Sequence, residues 1–252
     1  MRGLRATRRL AGLLLLSGAL EILFLAGLLP ARALGRGERW RSGCFRAWGR
    51  GSLALLGVRV EVEGSPPRPP FFLVTNHLSY LDIALLARET GATFVAREEV
   101  ARWPVVGWLA RSVGSLFLDR GERRDVIRIG AEIEALLAAG RGVVLFAEGT
   151  STSGAGVAPF RPALLEPAAR AGQPVHFATL RYRVPPGEAP VRTAVAWWGD
   201  MTFAPHLLRL ATLRGVEAQI AFGREPIRDS DRKSLAERLQ REVASRFLPL
   251  EA

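Results

Sequence analysis

At 252 residues, with 48% hydrophobic and 23% charged side chains, the chain can bury a full core as one domain with length left for an appendage, which excludes a disordered chain and a small disulfide scaffold. Its formal charge is +11, from 35 Lys and Arg against 24 Asp and Glu, and ten arginines in the first 50 residues face only Glu21 and Glu38. Basic charge concentrated beside an oily stretch points to an anionic lipid surface more than to nucleic acid. The single cysteine, Cys44, allows no intrachain disulfide and has no histidine near it in sequence to make it a nucleophile.

Leu10 to Leu29 is apolar except for Ser17 and Glu21, long enough to cross a bilayer core of about 30 Å. Arg2, Arg5, Arg8 and Arg9 precede it, and Arg32, Arg36, Arg39 and Arg41 follow it. The positive-inside rule holds both flanks on the cytoplasmic side, so the expected arrangement is a helix dipping into one leaflet, a single span being the alternative. Arg39 to Leu56 mixes arginine with Trp40, Phe45 and Trp48, which suits a second helix at headgroup level or one packed on the domain surface. Ala31-Arg32-Ala33 resembles a signal cleavage site and Arg8-Arg9 a twin-arginine leader, but Glu21 inside the apolar run and the arginines after the supposed cut oppose export.

From Val58 the pattern becomes α/β. Residues 1–57 read as a membrane-associated helical segment, and 58–252 as an α/β domain. Val58 to Val62 alternates like an edge strand, Gly64 to Pro70 is a stiff linker, and Phe71 to Val74 is a buried strand running into a helix at Ile83 to Ala87. Strands are expected at 92–96, 115–118, 142–146, 175–182, 191–198 and 216–222. Helices are expected at 104–111, 122–139, 162–171, 203–213 and 230–247. Strands alternating with helices favour one mixed, largely parallel sheet with helices on both faces.

Three strand ends carry polar chemistry. Thr75-Asn76-His77-Leu78-Ser79-Tyr80-Leu81-Asp82 sets an imidazole in a strand-to-helix turn with a carboxylate five residues on, the pairing a general base needs to be held in one tautomer. Ser79 to Asp82 fits a helix capping box equally well, and Asp82 can serve both purposes. Gly114 to Arg120 delivers an arginine able to hold a phosphate through directional hydrogen bonds. Phe146-Ala147-Glu148-Gly149-Thr150-Ser151 delivers backbone and hydroxyl donors for the same anion. Singly, each has an ordinary explanation as a turn or a surface ion pair. Parallel strands, however, bring their carboxyl ends to one edge, where α/β sheets bind ligands. A P-loop fails because Ala155 stands where its lysine should be, and a nucleophile elbow fails for want of a second glycine after Gly149. His77, His176 and His206 are too scattered for a zinc set.

These blocks resemble the glycerolipid acyltransferases typified by 1-acylglycerol-3-phosphate acyltransferase. The Asn-His-x4-Asp block is matched by Asn76, His77 and Asp82, and Gly-x-x-Phe-x-x-Arg by Gly114, Phe117 and Arg120. Phe-Pro-Glu-Gly-Thr is matched by Phe146, Glu148, Gly149, Thr150 and then Ser151, with Ala147 departing from Pro. The basic-x-Glu stretch is matched by Arg97 and Glu99, while a later Phe-Lys-x-Gly is kept only as Phe160 and Arg161, followed by Ala163. Trp197 to Met201 resembles a stretch of the lyso-ornithine lipid acyltransferases. The likeness covers roughly residues 58 to 225.

The resemblance implies transfer of a fatty acyl group from acyl-CoA or acyl-carrier protein to lysophosphatidic acid, giving phosphatidic acid, or to another acceptor such as lyso-ornithine lipid or glycerol 3-phosphate. It implies His77 and Asp82 as the catalytic pair. Asn76, Arg97, Arg120, Glu148, Gly149, Thr150 and Ser151 would bind substrate, with Glu148, ill suited to hold an anion, orienting Arg120 or the loop. No metal or resident cofactor is expected. The partners are membrane lipid and the thioester donor, not nucleic acid, and the site is a cell membrane with the catalytic domain on its cytoplasmic side. A lipid-binding scaffold without turnover is the contrasting reading; it would tolerate loss of His77, Asp82, Arg120 and Glu148, all of which are present.

Overall fold

The computed structural model describes residues 2–119 and 122–251; Arg120, one of the expected anion ligands, lies outside the described residues. The chain opens with an antiparallel helical pair, α1 (Arg2–Ala33) and α2 (Gly37–Leu56). Then follow β1 (Val58–Glu63), β2 (Phe71–Thr75), α3 (Leu81–Thr90), β3 (Thr93–Arg97), α4 (Glu98–Ala101), α5 (Val106–Ser112), β4 (Leu116–Leu118), α6 (Arg123–Ala138) and β5 (Gly142–Phe146). The remainder is α7 (Pro162–Arg170), β6 (Val175–Arg183), α8 (Val191–Ala194), α9 (Phe203–Thr212), β7 (Val216–Phe222) and α10 (Arg232–Ser245).

The strands form one seven-stranded sheet in the order β1-β7-β6-β2-β5-β3-β4. Every pairing is parallel except β6 with β7, so the sheet is mixed and largely parallel, as the alternation of elements implies. The central strands β2 and β5 are buried at every residue, as unbroken apolar runs in a doubly covered sheet should be.

Side chains of β2 alternate between two cores. Phe71 and Leu73 join Val144, Phe146, Leu180 and Tyr182 under α2, α3 and α9. Phe72 and Val74 join Val143, Leu145 and Phe177 under α6, α7 and α10. The α1–α2 pair shares the first of these cores through Ala6, Phe45, Leu53 and Leu56. Gly49 of α2 lies against the backbone of α3, where an added Cβ would stand 2.5 Å from the Ala84 carbonyl oxygen. α2 is therefore packed on the domain along one face.

The run 191–198, expected as a strand, departs from the sheet. Pro190 opens a helical turn, its carbonyl accepting from Thr193 and Ala194, and α8 leads into coil. Val191, Ala194, Val195 and Ala196 are buried all the same. A short buried apolar run has the same composition whether it is strand or coil, and only its neighbours decide.

Candidate active site

The pairing of β2 with β5, β5 with β3 and β3 with β4, all parallel, brings the polar ends of β2 and β5 to one edge. His77 and Glu148 each lie two residues beyond the paired residues Thr75 and Phe146. His77 Nδ1 lies 2.7 Å from Asp82 Oδ2, and the same oxygen accepts the backbone N–H groups of Leu78 at 2.7 Å and Ser79 at 3.0 Å. The other oxygen, Oδ1, accepts the Tyr182 hydroxyl at 2.6 Å. Asp82 is wholly buried, and the four donors to its two oxygens offset the cost of taking a carboxyl group out of water.

Asp82 thus supplies the carboxylate half of a capping box by reaching back to the Ser79 N–H, but the serine half is absent. Tyr80 is the N-cap residue, with no side-chain cap, and the buried Ser79 Oγ has no partner among the described residues. Asp82 caps the turn and holds the imidazole at once.

With Nδ1–H donated to Asp82, the lone pair of His77 resides on Nε2, which has no hydrogen-bond partner among the described residues. The ring stacks on Phe146, centroids 3.8 Å apart and planes 14° apart. One ring nitrogen held by a buried carboxylate and the other open to a substrate is the geometry of a general base.

Glu148 joins the two strand ends. Its Oε1 accepts the His77 N–H at 2.6 Å and its Oε2 the Ala158 N–H at 2.8 Å. Burial pushes its carboxyl up to about 7, outweighing those two donors, which pull it down, and nearby Asp82 pushes the same way. With 3% exposure and both oxygens held by backbone, it braces the catalytic turn. The Thr152 N–H adds a parallel tie to the His77 carbonyl at 2.9 Å.

Asn76 is equally committed. Its amide nitrogen donates to the Leu180 carbonyl at 3.0 Å and its oxygen accepts the Leu180 N–H at 2.8 Å, locking the turn to β6. Asn76, expected among the substrate-binding residues, is held by backbone here, and Glu148, expected to orient Arg120 or the loop, is held by the His77 and Ala158 N–H groups. Gly149 sits at φ +81°, and an added Cβ would meet Arg161 Nε at 2.6 Å. Glycine therefore lets the Arg161 guanidinium lie across the β5 end, where Nε donates to the Glu148 carbonyl at 3.3 Å. Thr150 and Arg161 are exposed and Ser151 half-buried, leaving donors for an anion at this rim. Arg97 ends β3 with an exposed ion pair to Glu99 at 3.1 Å.

Sequence reasoning passed over two residues here. Tyr182 reads as one more apolar strand position, and nothing local marks it as the partner of a carboxylate 100 residues earlier. Arg161 carried a signal, the partly kept Phe-Lys-x-Gly block.

A parallel-rich α/β edge bearing a carboxylate-held histidine suits an enzyme that takes a proton from its substrate. The chain belongs to the Acyltransferase family, whose model matches residues 58–182. It is 35% identical to the lyso-ornithine lipid O-acyltransferase of Rhodobacter capsulatus, an alignment covering 92% of this chain and 89% of that one. To the 1-acyl-sn-glycerol-3-phosphate acyltransferase of Neisseria gonorrhoeae it is 30% identical, over 78% of each chain. The crystal structure of the 1-acyl-sn-glycerophosphate acyltransferase from Thermotoga maritima superposes with a TM-score of 0.69 over 97% of both chains at 20% identity, which shows the shared fold.

Proposed function

We propose that this acyltransferase moves a fatty acyl group from a thioester, acyl-CoA or acyl-carrier protein, to the free hydroxyl of an anionic lysolipid. The observation that carries the reading is the open Nε2 of His77 opposite an Nδ1 fixed by buried Asp82. His77 Nε2 takes the hydroxyl proton as the oxygen attacks the thioester carbonyl, and Asp82 stabilises the resulting imidazolium. The C–S bond then breaks, and the leaving thiolate takes the proton from His77, so no acyl-enzyme forms. Arg161, Thr150, Ser151 and Arg120 are assigned to the acceptor's anionic group.

Lysophosphatidate is the acceptor that the motif set favours. Lyso-ornithine lipid is the second reading, favoured by the relatives of that name: besides the Rhodobacter enzyme, the one from Pseudomonas aeruginosa is 37% identical over 79% of this chain. Labelled acyl-CoA offered with each acceptor, to the native protein and to His77→Ala, tests both parts. The expected result is turnover with one acceptor and a loss of about 10²- to 10⁴-fold in the variant; turnover that survives the substitution removes the mechanism.

The helical pair associates the enzyme with its membrane, and we propose that α1 lies in one leaflet on the cytoplasmic side. Its amino-terminal end and its middle are fastened to the domain, and its later part to α2. Arg5 and Arg9 donate to the carbonyls of Thr212 and Leu213 at 3.0 and 2.7 Å, Glu21 accepts from Ser112 at 3.0 Å, and Trp40 of α2 donates to the Phe24 carbonyl at 3.0 Å. Ties of this kind along its length support a helix that lies beside the domain. The acceptor would then reach His77 without its chain leaving lipid, a transfer that would otherwise cost about 0.8 kcal/mol per CH₂.

A further inference from the structure

We infer that the segment 98–113, comprising α4 and α5, is a second membrane-contacting element, and that it inserts Val105 and Trp108 into the same lipid surface as α1. The inference rests on the proposed placement of α1 in one leaflet and not on the choice of acceptor. Val105 is 61% exposed and Trp108 51% exposed, and they sit at the start and in the body of a seven-residue helix. Val105 also holds φ at +64°, a conformation that a β-branched residue adopts only at an energetic penalty. A glycine would form that turn with far less strain and without exposing an apolar side chain. An exposed, strained valine beside an exposed tryptophan is unfavourable on both counts in water, and lipid contact offsets the second.

What identifies the occupant is continuity with α1. Ser112, at the carboxyl end of α5, donates to Glu21 Oε2 at 3.0 Å. Glu21 is only 6% exposed, so the midpoint of the apolar helix is fastened to α5 from the protein side. Its neighbours Ile22 and Leu25 point outward, as do Leu14 and Leu15. Trp108 and Ser112 are four residues apart and share one face of α5, so Trp108 lies one turn along from that junction. Leu14, Leu15, Ile22 and Leu25 of α1 and Trp108 of α5 are all exposed, the Ser112–Glu21 bond ties the two helices together, and the same elements and the α1–α2 turn carry exposed Arg32, Arg36, Arg39 and Arg111. Exposed apolar and basic residues on the same elements match an anionic bilayer, into whose interface tryptophan partitions well.

The same segment reaches the catalytic turn. The Trp103 ring packs on Trp197 and Phe203, with centroids 6.0 and 5.4 Å away. The Trp197 N–H donates to the Leu78 carbonyl at 2.8 Å, and Phe203 packs on Tyr80 at 5.1 Å. Leu78 and Tyr80 lie between His77 and Asp82. Trp103, then Trp197 and Phe203, thus link the segment to the residues between His77 and Asp82.

The test uses full-length protein and the difference in tryptophan emission between it and Trp108→Phe. Both are bound to vesicles of phosphatidylcholine and phosphatidylglycerol in equal parts, with acyl chains brominated near the headgroup. The expected result is a Trp108 emission that shifts to the blue on vesicle binding and is quenched by bromine while becoming shielded from aqueous iodide. Emission that stays iodide-accessible and unquenched by bromine overturns the inference. So does emission that becomes shielded only as protein concentration rises without vesicles, which would mean that a second copy covers the face. A second variant, Val105→Ser with Trp108→Ser, changes exposed side chains only. It is expected to raise the KM for a vesicle-presented acceptor about tenfold, with kcat toward a short-chain monomeric acceptor unchanged. The quenching result stands even if the assigned reaction fails, so the two failures are distinguishable.

Discussion

Two histidines flank the same turn and meet opposite fates. His77, on the β2–α3 turn, gives Nδ1–H to Asp82 and keeps Nε2 open. His206, on α9, is buried with both nitrogens engaged: Nε2 faces the Ala196 carbonyl at 3.0 Å, which makes it the protonated nitrogen, and Nδ1 accepts the Tyr80 hydroxyl at 2.9 Å. Burial lowers the His206 pKa and raises that of Tyr80, so both stay neutral and serve packing. The lesson is that the number of ring nitrogens left unpaired, rather than the residue type, decides which imidazole can do chemistry.

The sharpest way to break the contrast is one substitution made twice. Glutamine offers a donor and an acceptor but cannot take a proton. His77→Gln should lose about 10²- to 10⁴-fold in kcat, measured with labelled donor, whereas His206→Gln should leave kcat within a few-fold. Equal losses in the two variants would refute the distinction.

Tyr182→Phe comes next. It leaves Asp82 Oδ1 buried without its 2.6 Å donor, and a hydrogen bond to a charged group is worth about 1.5–3 kcal/mol. Denaturant unfolding should show a loss of that order. Turnover should fall about tenfold if the tyrosine also steadies the imidazolium form.

Glu148 gives a pH signature. Its folded pKa, raised to about 7 from 4.5, means that the folded state holds this proton more tightly than the unfolded state. Below 4.5 both states are protonated and the group contributes nothing. As pH rises from 4.5 through 7 it subtracts from stability, by roughly 3 kcal/mol in full. Glu148→Gln should abolish that slope, read from unfolding midpoints between pH 4 and about 8, while lowering stability overall because its NH₂ must face one backbone N–H. The smallest effect is expected from Phe146→Leu, which removes the stacking partner of His77 and should lower kcat a few-fold without altering the pH profile.

Much of this was legible in the chain. The strand 71–75, the strand 142–146 and the turns that follow them were readable because periodicity and composition are local. The pairing within the block at 76–82 was readable because His77 and Asp82 lie five residues apart in one strand-to-helix turn. The run 191–198 was misread because a buried coil and a buried strand share composition, and Arg161 went unchosen because its block was only half kept.

The amino-acid sequence alone determined an α/β domain behind an oily, arginine-flanked leader, a histidine paired with an acid, and the family to which they belong. Only the tertiary structure decided that Asn76 locks the turn to β6, that Glu148 does its positioning through the His77 N–H, that Tyr182 satisfies Asp82, and that α5 lies against Glu21 with Trp108 turned outward. The bonds that settle these roles join residues 71 to 104 positions apart. Such partners are chosen by strand order and helix packing, which no local pattern of side chains records.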